Sequence, residues 1–289
     1  MTPKKIALLT DSSADLRWDQ ARENNIFFVP LRILCEDGEY LDGVNITGPD
    51  IYQRLHNGEL PQTSLPRVED FSAKLREIFD LGYDGVIAVM LSSGLSGTYN
   101  LARILAGECA EQGYAMKVFD SVSGALGQGM TVLQLAEDIK NGMDWEELTE
   151  RRAPQLIANT YPFFSVDTLE YLVKGGRIGK VTAMAGTMLQ IKPVLHVDND
   201  GKLMTVAKAR GRRAALKALV DRMEQTAIDL RDQTVFISHG DCLADAEYVA
   251  NRVREKFGVK NIYINFIGPV IGAHSGPGTV ALFFIGEHR

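Results

Sequence analysis

The sequence predicts an α/β protein of two domains. An N-terminal parallel α/β sheet domain covers residues 1–158, and a C-terminal α+β domain with a mixed or antiparallel sheet covers residues 159–289. Three observations predict this. Short apolar runs alternate with helical patterns through the first half, as parallel strands joined by helical crossovers do. The turn signals Asp37-Gly38 and Asp198-Asn199-Asp200-Gly201, each flanked by apolar segments, mark hairpins. The 289 residues are 45% hydrophobic and 24% charged, enough apolar surface for a large core or two of ordinary size. No repeat or low-complexity linker fixes the boundary near residue 158.

In order, Ile6-Ala7-Leu8-Leu9 is a short apolar strand ending at Thr10-Asp11-Ser12-Ser13, and a helix follows around Arg17–Asn24. Phe27–Leu34 and Glu39–Leu41 flank the first hairpin turn. Thr47 with Pro49 opens a helix through His56 that Asn57-Gly58 ends. Pro66 precedes a helix over about Val68–Leu81. Val86–Leu91 is a continuous apolar strand, the kind buried on both faces. It runs into Ser92-Ser93-Gly94-Leu95-Ser96-Gly97 and a helix through Glu111. Met116–Phe119 is the next strand, closed by Asp120-Ser121 and a helix over about Gln128–Asn141. Beyond it, Asp144–Ala158 is helical, Phe163–Val166 a strand, and Thr168–Lys174 a short helix stopped by Gly175-Gly176. Pro193–Val197 and Leu203–Lys208 form the second hairpin, followed by a long helix over Arg212–Leu230. Thr234–Ser238, Ile262–Ile267 and Thr279–Ile285 are strands, with a helix over Ala244–Phe257 between the first two.

Several function classes are disfavoured at once. Net charge is −6 and the sequence pI about 5.5, so nucleic acid is repelled unless basic residues cluster. The densest basic stretch, Lys208–Arg213, is short and reads as a solvated helix start. Cys35, Cys109 and Cys242 are far apart and odd in number, which argues against a disulfide framework or a zinc cluster. They read as small buried hydrophobes in a reducing compartment. No segment approaches a membrane span and the apolar run at Ile6–Asp11 is too short for a signal sequence, so a cytoplasmic protein without cofactor or metal is expected.

Chemistry is expected where three parallel strands end in small polar residues: Thr10-Asp11-Ser12-Ser13, Ser92-Ser93-Gly94 and Asp120-Ser121. Ligands of open α/β sheets bind outside the carboxyl ends of the strands. Ser and Asp are equally favoured helix caps, and for Asp11 and Asp120 that structural role is the preferred one. In the Ser92–Thr98 segment, Gly94 and Gly97 allow close backbone approach, while Ser93 and Ser96 offer hydroxyls where a helix begins and favours an anion. The segment is neither a P-loop nor a nucleophile elbow, so a small anion such as a carboxylate fits it better than a nucleoside triphosphate.

Of five histidines, His56, His196 and His288 read as surface residues, and His239 as a structural strand end. His274 differs. It lies among glycines and prolines in Gly268–Gly278, a rigid path just after a strand, and its imidazole can donate to a carboxylate. Thr63-Ser64, in Pro61-Gln62-Thr63-Ser64-Leu65-Pro66, is by itself an ordinary helix-start sequence.

Taken together, nearly the whole chain resembles the DegV family of bacterial proteins. The resemblance is carried by Thr10–Leu16, Thr63-Ser64-Leu65-Pro66, Leu91–Tyr99, Asp120-Ser121 with Gly127-Gln128-Gly129, and Asp167–Leu172 with Lys174-Gly175-Gly176-Arg177-Ile178. Lys192-Pro193-Val194-Leu195 and Gly272-Ala273-His274 with Gly276-Pro277-Gly278 complete it. Leu65 stands where the family often has Gln, and Ala281 where it often has Gly. The resemblance implies one long-chain fatty acid held between the two domains. Its carboxylate would be bound by Thr63, Ser64, Ser93, Ser96 and His274. It further implies a separate ATP-dependent fatty acid kinase that phosphorylates the bound acid for phospholipid synthesis, with Arg177 in contact with that kinase. A C16–C18 tail needs an enclosed apolar tunnel, since each exposed methylene forfeits roughly 0.8 kcal/mol of burial. Met184–Val194 and Phe163-Phe164 are candidates to line it, although ordinary core packing suits each of them singly. Arg177 also suits the capping of the helix before it.

Three alternatives stand beside this. Ser93 or Ser96 with His274 and Asp11 would make a serine/histidine-dependent acyl hydrolase. The chain could be a kinase by itself, which the missing phosphate loop disfavours. It could also be a regulatory protein for which lipid is only a stabilising component.

Overall fold

The computed structural model of the chain describes residue 3, residues 5–178 and residues 190–287. The first half runs β1 (Ile6–Asp11), α1 (Trp18–Glu23), β2 (Ile26–Val29), β3 (Arg32–Cys35), β4 (Gly38–Leu41), α2 (Gly48–His56), β5 (Gln62–Ser64), α3 (Val68–Asp80), β6 (Gly85–Met90), α4 (Thr98–Glu111), β7 (Ala115–Asp120) and α5 (Leu126–Lys140). The second half runs α6 (Ala153–Asn159), β8 (Thr160–Ser165), α7 (Glu170–Lys174), β9 (Ile191–Val197), β10 (Leu203–Arg210), α8 (Arg212–Thr226), β11 (Thr234–His239), α9 (Leu243–Phe257), β12 (Asn261–Phe266), α10 (Pro269–Ser275) and β13 (Val280–Ile285).

Three sheets result. The four-stranded sheet has the order β2-β1-β6-β7 and is wholly parallel. All six residues of β6 are buried, as its unbroken apolar sequence requires of a strand covered on both faces. The six-stranded sheet has the order β10-β9-β8-β13-β11-β12, antiparallel except for the parallel pair β11/β12. The fold class is therefore the expected one, a parallel sheet followed in sequence by a mixed one.

The layers stack on α5. Its Leu126, Met130 and Leu135 pack on Leu8, Phe28 and Ile87 of the parallel sheet and share a core with Phe236, Ala281 and Phe283 of the mixed sheet. The parallel sheet's other face is covered by α3 and α4, through Phe71, Leu75 and Leu105. In α3 the buried residues Phe71, Leu75 and Ile78 recur at helical spacing, so one stripe faces the core. The mixed sheet's far face is covered by α8 and α9, through Leu216, Leu219, Val249 and Val253.

The third sheet, β4-β3-β5, is a small antiparallel unit. It corrects two expectations. Phe27–Leu34 is not one strand: β2 joins the parallel sheet while β3 leaves it, with Pro30, which has no N–H to offer a ladder, between them. Thr63-Ser64 is not a helix start but most of β5, paired with Ile33 and Arg32. This sheet and α2 form a satellite core with Ile267 and Val270 beside α10. Thr47 and Asp50 form a capping box that starts α2.

Smaller departures have local causes. The helix expected to reach Leu230 stops at Thr226, because Ala227 leaves to bridge Gly286. His196 is half buried, stacked on Tyr161, rather than at the surface. His274 lies on a helix, α10, not on a loop. Cys35 and Cys109 are buried, Cys242 is partly so, and all are free thiols whose pKa burial pushes upward. Among the described residues no helix is long and apolar enough to cross a membrane. His288 lies outside the described residues.

Candidate functional site

The parallel sheet places a site through its strand order. From β1 the chain moves to β2 on one side, and later to β6 and β7 on the other, so β1/β6 is the topological switch point. Asp11 closes β1 there. Its carboxylate accepts the backbone N–H of Ser13 at 3.0 Å and of Leu91 at 2.8 Å, and the Ser13 hydroxyl as well. Burial raises its pKa against those bonds. Asp120 accepts backbone N–H groups of Ser93 and Val122. Asp11 thus caps the short helical turn Ser12–Ala14, the role preferred for it, whereas Asp120 fastens the end of β7 to the Ser93 segment rather than capping a helix.

Beyond the carboxyl ends of β2 and β6, which flank β1, lies a cavity of about 350 Å³, lined there by Leu31 and Leu91 and within the range of small-molecule sites. Most of its wall is apolar. Leu91 and Leu95 come from the segment after β6, and Val270 and Ile271 from α10. Ala281 and Phe283 come from β13, Phe164 from β8, and Val197 and Leu203 from the β9/β10 hairpin. The expected lining by Phe163 and Val194 is not found, since both pack into the core under α8 and α9. Residues 184–189 of the run proposed for the tunnel lie outside the described residues.

The polar lining comes from separate elements. Thr63 and Ser64 arrive on β5, Ser96 before α4, Arg177 after α7, and His274 and Ser275 on α10. Thr63 Oγ1 is 2.7 Å from His274 Nε2. Ser96 Oγ lies 2.9 Å from Thr98 Oγ1 and accepts the Thr98 N–H at 3.3 Å, a local turn at the start of α4. Burial, and secondarily the Arg177 guanidinium, push the His274 pKa down to about 4, so the imidazole is neutral at physiological pH.

Arg177 is held twice. Gly176 adopts φ +70°, and the N–H of Arg177 reaches Leu172 O while that of Gly176 reaches Val173 O, a Schellman end to α7. The Arg177 side chain then donates to Gly175 O at 2.6 Å and to Leu95 O at 3.3 Å. It caps the helix and ties it to the segment carrying Ser96. Gly175 is needed in turn, since a methyl group there would overlap His274 Nδ1.

Two expectations are corrected. Ser93 is exposed and does not line the cavity; its amide is bound by Asp120. Gly94 serves not a ligand but the β9/β10 turn, because a Cβ on it would strike the carbonyl of Gly201, which also accepts the Ser92 hydroxyl at 2.8 Å. Nor is a hydrolase triad assembled. Ser96 bonds Thr98, His274 bonds Thr63, and Asp11 is consumed by Ser13 and Leu91. Sequence reasoning missed Ser275, the residue next to His274 on the same helix.

Residues 5–287 match the family model of the uncharacterised DegV proteins. A DegV domain-containing protein of Clostridium perfringens is 36% identical over 293 residues, 99% of each chain. A DegV family protein from Thermus thermophilus, known for fatty acid binding, superimposes with a TM-score of 0.90 at 30% identity, covering 98% of this chain and 100% of that one. A stearic acid-binding protein from Eubacterium ventriosum superimposes with a TM-score of 0.86 at 27% identity, covering 98% of each. With a family match spanning nearly its full length, the chain belongs to the DegV family.

Proposed function

We propose that this protein binds one long-chain fatty acid in the cavity beyond the carboxyl ends of β2 and β6, between domains at residues 1–158 and 159–289. It is a non-catalytic binding protein of the cytoplasm that presents the acid's carboxylate to a separate ATP-dependent fatty acid kinase. The observation that carries the reading is the distribution of polarity. A mostly apolar cavity gathers Thr63, Ser64, Ser96, Arg177 and His274 in its wall. An apolar enclosure suits an acyl chain, and grouped neutral donors suit a single carboxylate. The fatty acid binding of the Thermus thermophilus relative and the stearic acid binding of the Eubacterium ventriosum relative support the same ligand class.

The head-group roles follow from proton counting. A neutral imidazole has one N–H. With the proton on Nε2, His274 donates to Thr63 Oγ1 and frees the Thr63 hydroxyl to donate to the carboxylate. With it on Nδ1, Thr63 must donate to the ring and has nothing for the ligand. The Nε2–H tautomer is therefore the binding form, with Ser64 and Ser96 adding hydroxyls. Arg177, at the cavity wall with N–H groups beyond its two carbonyl bonds, is assigned to the kinase or to the phosphate in transfer, since guanidinium pairs with phosphate at two points. Mass spectrometry of lipid extracted from the purified protein tests the reading. One fatty acid per chain is expected, and extracts containing solvent alone overturn it. Acyl-phosphate formation on adding the kinase and ATP tests the partner.

A further inference from the structure

Ser275 is buried, with 6% of its surface exposed, and lines the cavity. Among the described residues its Oγ has no hydrogen-bond partner. Elsewhere in the chain Thr131, Thr149, Thr160, Thr226 and Thr279 each donate to the carbonyl four residues earlier. Ile271 O stands four residues before Ser275, in the same α10, yet Ser275 does not use it. Its own carbonyl accepts from Thr279 at 2.9 Å, so the backbone there is satisfied while the side chain is not. A buried hydroxyl without a partner costs about 1–3 kcal/mol. Ser165 and Ser238 carry the same liability, but neither lines the cavity. Ser275 alone of the three can be satisfied by something that enters.

We propose that Ser275 is a further head-group residue, donating a hydrogen bond to the carboxylate of the bound acid from the turn of α10 that carries His274. The proposal rests on the fatty acid reading of this cavity and deepens it. His274 and Ser275 are consecutive, and the neutral imidazole is committed to Thr63. The acid then meets hydroxyls from two sides: Thr63, Ser64 and Ser96 from the first half of the chain, and Ser275 from the second. A hydrogen bond to the carboxylate would satisfy the Ser275 hydroxyl, so Ser275 favours the loaded protein.

The test measures Ser275→Ala in both states, with Ser165→Ala as the control. Delipidated Ser275→Ala is expected to melt at or above the delipidated wild type, because an unsatisfied hydroxyl is gone. Its affinity for palmitic acid is expected to fall roughly tenfold, and by the same factor for myristic and stearic acids, whose head group is shared. Ser165→Ala should bind as the wild type does. Unchanged affinity in Ser275→Ala, a loss that varies with chain length, or a lowered melting point of the delipidated variant overturns the inference on Ser275. If the wild type binds none of the three acids, the reading of the cavity itself falls.

Discussion

Thr63 Oγ1 and His274 Nε2 lie 2.7 Å apart although 211 residues separate them in the chain. The contact joins an edge strand of the small β4-β3-β5 sheet to a seven-residue helix beside the mixed sheet. It requires the satellite core of Ile33, Ile51, Ile267 and Val270 to bring those elements together. Removing either partner leaves the other inside a mostly apolar wall.

Thr63→Ala is therefore expected to weaken binding of a long-chain fatty acid by about ten- to a hundred-fold, the 1.5–3 kcal/mol of a hydrogen bond to a charged group. His274→Gln, whose amide can still donate to Thr63, should lose less. Displacement of a fluorescent fatty acid measures both, and wild-type affinity in Thr63→Ala would remove it from the head-group site.

Gly175→Ala isolates the placement of the imidazole. Gly175 has φ −76°, ordinary for any residue, so the substitution brings no backbone strain. Its new methyl group would overlap His274 Nδ1 and must displace the ring or the end of α7. Fatty acid affinity is expected to fall at least tenfold, with the melting temperature lowered by a few degrees. Binding and melting equal to wild type would show that the ring is free to move aside.

Two buried groups give the protein opposed pH responses. His274 binds its proton only near pH 4 in the fold, against an ordinary value of 6.5, because it is buried and beside Arg177. Between those values the unfolded chain holds more protons, so this contribution to stability is lost as pH falls from 6.5 to 4. Asp42 has the reverse sign. Burial pushes its carboxyl up to about 7 from 3.8, although Ser12 donates to it. The folded protein then holds more protons in that window, and stability is lost as pH rises through it. Asp42→Asn, which cannot ionise, is expected to melt above wild type at pH 8 and close to it at pH 4. Thermal scans across that range decide the matter, and a variant less stable at both ends would reject the assignment.

Arg177→Ala separates capping from partner contact. Loss of its bonds to Gly175 O and Leu95 O is expected to lower the melting temperature by a few degrees. If the guanidinium also meets the kinase, acyl-phosphate formation falls tenfold or more even when every chain is loaded with fatty acid. Normal phosphorylation of the loaded variant would leave Arg177 a helix cap and nothing more.

The order of strands and helices, the parallel-then-mixed division and the family were legible in the sequence, because each rests on local periodicity, turn residues or motif strings. Four of the residues expected at the head group, Thr63, Ser64, Ser96 and His274, line the cavity, whereas the place of Arg177 in its wall was not legible. The errors share a cause. Phe27–Leu34 looked like one strand, but Pro30 interrupts it and β3 pairs with β4 and β5 instead of continuing β2. Ser93 and Ser96 looked equivalent in one loop, but Asp120 holds the Ser93 amide and leaves that residue exposed. Gly94 looked like a ligand glycine, and the approach of Gly201 from 107 positions later explains it instead. Periodicity and turn chemistry act within a few residues and determine what each segment becomes. Which side chain is left without a partner, as Ser275 is, depends on contacts between segments far apart in the chain, and only the tertiary structure decides it.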